Sequence, residues 1–73
     1  MTEEEFSKLK TGIVVSNRFD KDRYYVIDEE DVFGNVDCAP ECIVFGATEM
    51  DGTQQIRIDK SNAQFWHIEG KLN

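Results

Sequence analysis

Five runs of four to seven residues, rich in β-branched and aromatic side chains, are separated by turn-forming stretches and restrict this chain to a mostly β fold. They are Ile13-Val14-Val15-Ser16, Arg23 to Ile27, Cys42 to Ala47, Gln54 to Lys60 and Phe65 to Ile68. The fourth alternates most clearly, with Ile56 and Ile58 on one side and Gln55, Arg57 and Asp59 on the other. Ahead of them, Thr2-x-x-Glu5 is a capping box, and Phe6 and Leu9 stand three apart, which predicts one short helix over about residues 3–9.

The connections are read from the same chemistry. Gly12 ends the helix, Asn17 to Asp22 forms a polar turn, and the acid run after Ile27 stops the second strand. Gly34-Asn35 and Ala39-Pro40 make residues 29–41 a long loop. Asp51-Gly52 is a hairpin signal, and Ser61 to Gln64 is a polar corner with one helical turn. With 73 residues there is room for one domain: a helix over 1–10, a barrel over 11–69 and a tail over 70–73.

This order resembles an SH3-like barrel: a long loop after the second strand, a tight hairpin between the third and fourth, and a one-turn corner before the fifth. The resemblance covers roughly residues 11–69 and is one of element order. It implies a small five-stranded barrel. The acidic and aromatic groove signatures of the peptide-binding SH3 family are not in this sequence, so no binding residue is carried across.

Charge is the second constraint. The formal net charge is −7, and its placement is uneven. Residues 1–23 hold five acids and five bases, residues 24–56 hold eight acids and no base, and residues 57–73 hold two acids and three bases. Such a balance disfavours direct contact with nucleic-acid phosphates and favours a basic protein surface as partner. Forty per cent hydrophobic residues with five Phe, two Tyr and one Trp indicate a folded core and not an acidic tail. The sequence holds no apolar run near the ~20 residues of a membrane span. The acidic start does not resemble a signal peptide, so a cytoplasmic protein is expected.

Chemical motifs are few. Asp28-Glu29-Glu30-Asp31 lacks the spaced carboxylates and sharp glycine turn of a calcium loop, and alternate side chains on a strand end point in opposite directions. Cys38 and Cys42 are spaced C-x3-C, which is not the redox C-x-x-C, and with His67 as the only histidine a zinc site is short of ligands. They are read as reduced thiols. His67 shares a face with Phe65 and Glu69, opposite Trp66 and Ile68, and is read as a half-buried strand position. With no phosphate loop and no nucleophile–base spacing, the expectation is a non-enzymatic protein without metal or cofactor.

Two functional classes follow, with a third possibility in self-association. In the first, Asp28, Glu29, Glu30, Asp31, Phe33, Asp37 and Glu41 form one acidic face around an aromatic anchor and engage a basic partner. In size and charge such a chain resembles the accessory and inhibitor proteins of bacteriophages and mobile elements, some of which array carboxylates where phosphates would lie. In the second, Tyr25, Phe33 and Trp66 line an aromatic cleft for a peptide or small molecule. The third reading is a subunit that completes its core by homo-oligomerising.

Overall fold

The computed structural model describes residues 1–32 and 43–72, the side chains of 31 and 32 excepted. Helix α1 (Glu3–Ser7) is followed by β1 (Ile13–Asn17), β2 (Asp20–Val32), β3 (Ile43–Glu49), β4 (Gln55–Ile58), a 3₁₀ turn (Ala63–Phe65) and β5 (Trp66–Lys71). The five strands form one antiparallel sheet in the order β4-β3-β2-β1-β5. The mostly β character, the N-terminal helix and the helical turn before the last strand agree with the sequence reading. The sheet is open: β4 and β5 are its edges, and no ladder joins them among the described residues.

The expected capping box forms. Thr2 Oγ1 accepts from the Glu5 amide at 3.1 Å, and Glu5 Oε1 accepts from the Thr2 amide at 2.9 Å. That reciprocal pair fixes the first turn of a helix too short to persist alone. Packing does the rest: Phe6 and Leu9 are buried, and the Phe6 ring meets Phe45 edge-on at 5.3 Å. Val15, Ile27 and Ile58 are fully enclosed beneath this layer, with Tyr25, Ala47, Ala63 and Trp66 completing the core.

The sequence reading errs most on β2. Its start is two residues past β1, because the turn is only Arg18-Phe19, with Asn17 Oδ1 accepting from the Phe19 amide at 2.8 Å. At its other end the acid run does not stop the strand. β2 continues through Asp28, and its residues Glu29, Glu30, Asp31 and Val32 lie opposite Gly46, Phe45, Val44 and Ile43 of β3. The ladder satisfies the backbone groups that face β3, while the carboxylates of Asp28, Glu29 and Glu30 stay exposed. The cost of solvating acids on a strand is therefore small.

β1 pairs with β2 only as far as Val26. β4 accompanies β3 only between Phe45 and Thr48. Beyond Val26 the β2–β3 ladder runs on as a ribbon without β1, and past Phe45 without β4 as well, so that its end is two-stranded.

Three smaller differences concern strand ends. β4 is four residues long because Asp59 turns the chain: its Oδ1 accepts from the Ser61 amide, the Ser61 hydroxyl and the Asn62 amide at 2.6–3.1 Å. β5 runs on through Gly70, which pairs with Val14. α1 ends at Ser7 and not at residue 9.

Candidate functional site

The acidic stretch acquires its geometry from a β-bulge. Ile27 pairs with Ala47 and Glu29 with Gly46, so Asp28 is the extra residue. A bulge breaks the alternation that would send Asp28 and Glu29 to opposite faces. Asp28 Oδ2 accepts from Thr48 Oγ1 at 2.5 Å, and Asp28 Oδ1 and Glu29 both flank Gly46. Two consecutive carboxylates thus stand side by side on the sheet face opposite the core. Gly46 is what leaves room for them. A Cβ built there would lie 3.2 Å from both Cβ and Oε2 of Glu29.

Glu30 does not join them. It pairs with Phe45, which pairs in turn with the buried Ile58, and cross-strand partners share a face. The expected single acidic face is therefore corrected: strand alternation resumes after the bulge and places Glu30 on the other side of the ribbon. Asp31 is opposite Val44 in the ladder, and its side chain is outside the described residues. Phe33, Asp37 and Glu41, as well as Cys38 and Cys42, also lie outside them.

Bases enter this region at two points. Arg23 Nε lies 3.6 Å from Glu49 and 3.4 Å from Asp20. Arg57 is paired with Gly46, and so shares the row of Glu29. Among the described residues, the ion pairs made by Lys8, Arg23 and Lys60 go to Glu4, Asp20, Glu49 and Glu3, not to Asp28, Glu29 or Glu30. No three His, Cys, Asp or Glu side chains converge as a metal site among the described residues.

The anticipated aromatic cleft takes a different form. Tyr25 and Trp66 are 5% and 6% exposed and pack edge-on at 5.4 Å, so both rings belong to the core and do not line an open cleft. Strand alternation turns Tyr25 inward and leaves Tyr24 outside, and the register of β5 buries Trp66 beside it. Among the described residues the most exposed aromatic is Phe19 at the β1–β2 turn, 74% accessible, tilted against Phe65 at 5.5 Å with the Arg18 guanidinium over its ring.

Two concavities were not foreseen. One, of about 400 Å³, has an apolar floor of Phe6, Ile43, Phe45 and Ala63 with Lys60 and Gln64 at its rim. The other, of about 260 Å³, lies among Ser16, Lys21, Tyr24, His67 and Glu69. His67 is exposed, not half-buried. The sequence signal for the second concavity was Ser16, a lone polar residue in an apolar strand and a natural floor between larger neighbours. Among the described residues no helix is long and apolar enough to cross a membrane. No family model, curated protein or solved structure matches the chain.

Proposed function

We propose that this protein is a small non-enzymatic interaction module that engages a basic protein surface through the β2–β3 ribbon, in the cytoplasm. The observation that carries this reading is the bulge-paired Asp28 and Glu29, exposed side by side and outside the ion pairs of the described residues. A carboxylate accepts two hydrogen bonds from one guanidinium, so two adjacent carboxylates suit an arginine-rich patch. Glu30, on the opposite side of the same ribbon, offers a further contact to a partner that wraps its edge.

The finer proposal is an inhibitor of the bacteriophage or mobile-element kind, occupying a groove that a host protein uses for phosphates. Small size and a net charge of −7 support it. We also propose that the sheet curls toward an SH3-like barrel, which the sequential β1-β2-β3-β4 meander, β5 beside β1 and the 3₁₀ turn before β5 support.

Affinity capture from a bacterial lysate with the parent and with Asp28→Lys/Glu29→Lys tests the reading. Proteins retained by the parent at low salt should be released at high salt and missing from the variant, whose circular dichroism should match the parent. A double variant that captures the same proteins as the parent would remove the acidic ribbon from the interface.

A further inference from the structure

Three neighbouring strands build the second cavity from Ser16, Lys21, Tyr24, His67 and Glu69. Ser16 of β1 is opposite Tyr24 of β2 on one side and His67 of β5 on the other, so the three form one row on the face away from the core. The small serine is a floor between two rings. Their backbones are two strand spacings apart, roughly 10 Å, a width that admits one flat ring stacked at about 3.5–4 Å from each wall.

Glu69 closes one end of the trough. It is the extra residue of a second bulge, between Ile68 opposite Val15 and Gly70 opposite Val14. Ser16, 3% exposed, donates its hydroxyl to Glu69 Oε1 at 2.9 Å and so orients the carboxylate. Lys21 stands at the rim, on the hairpin that also bears Arg18 and Arg23. These charges set the ligand class. A simple anion is repelled by Glu69 and a simple cation by Lys21, so the fitting ligand carries an N–H-rich edge and an anionic group on one flat scaffold.

We propose that this cavity binds a guanine mononucleotide. The base stacks between Tyr24 and His67, its N1–H and N2 amino group donate to Glu69, and its phosphate pairs with Lys21. Adenine turns a ring acceptor toward the same carboxylate and is rejected. A guanine within RNA offers the same edge, but a net charge of −7 repels a polyphosphate chain far more than one phosphate. The site is independent of the acidic ribbon, so Asp28→Lys/Glu29→Lys should leave it intact.

Titration of the protein with GMP and AMP, followed by two-dimensional NMR at low salt up to about 5 mM nucleotide, tests the assignment. GMP should shift Ser16, Lys21, Tyr24, His67 and Glu69 and bind at least about tenfold tighter than AMP. Glu69→Gln, which keeps the shape and the Ser16 partner, should erase that preference. Lys21→Ala should weaken GMP several-fold and leave guanosine unchanged. Absence of shifts at these five residues, equal binding of the two nucleotides, or an unaltered Glu69→Gln variant overturns the proposal. Tighter binding of a guanine-containing tetranucleotide than of GMP overturns the mononucleotide assignment.

Discussion

Asp59 holds the β4–β5 corner through bonds to Ser61 and Asn62, and those bonds make its proton a stability probe. The Ser61 hydroxyl, the largest influence, holds its carboxyl below the ordinary 3.8; burial opposes it, and the amides of Asn62 and Ser61 lower it further. The unfolded chain therefore takes up this proton before the folded one. The contribution is full above 3.8 and is lost as pH falls through the lower folded value. Asp59→Asn should melt below the parent near neutral pH, and the gap in Tm should close as the pH is taken down below 3.8. A constant gap would assign the loss to shape and not to charge.

Gly12 makes a second residue-scale case. Its φ of +99° is in the region that side chains disfavour, and it accepts from the Leu72 amide while donating to the Ile27 carbonyl, each at 2.7 Å. Gly12→Ala should cost about 1–2 kcal/mol in a denaturant titration, since the chain is held on both sides and cannot relax. The sequence marked this glycine as the end of the helix. Its role as a clasp between β2 and the C-terminal end of β5 depends on contacts distant in the chain.

Among the elements, β1, β3, the capping box and the helical turn were legible because each is announced by local chemistry. Thr2→Ala should accordingly lower stability by about 1 kcal/mol, read by thermal melting, because it leaves the Glu5 amide without its cap. β2 was legible only in its first half. Asp28 to Asp31 read as a terminator, since strand preference on a local scale penalises acids, whereas pairing with β3 decides the outcome. The bulge was invisible for the same reason. Nothing in Asp28-Glu29 signals an extra residue until Gly46 and Thr48 are brought opposite. The buried fate of Tyr25 and Trp66, and the row of Tyr24, Ser16 and His67, follow from register, which a single sequence does not specify.

For the molecule as a whole, a chain of 73 residues has a core of few side chains and little stability in reserve. Ile27 and Ile58, both fully buried, sit where the layers meet. Ile27→Ala should cost about 2–5 kcal/mol, enough to leave much of the variant unfolded near physiological temperature by circular dichroism. Net charge acts in the other direction from packing. Because −7 is a self-repelling balance and the exposed ion pairs contribute little, added salt should raise Tm; a fall would mean that those pairs dominate.

The narrowing of the sheet past Phe45 has a kinetic corollary. Where only two strands remain, the amides of Asp31, Val32, Ile43 and Val44 can trade deuterium by parting one ladder, with the helix and its ring contacts undisturbed. Amides of Val15 and Val26, paired with neighbours on both sides, exchange only when the entire domain opens. A strand end that breathes on its own beside the acidic bulge can conform to a target at little expense to the body that carries it.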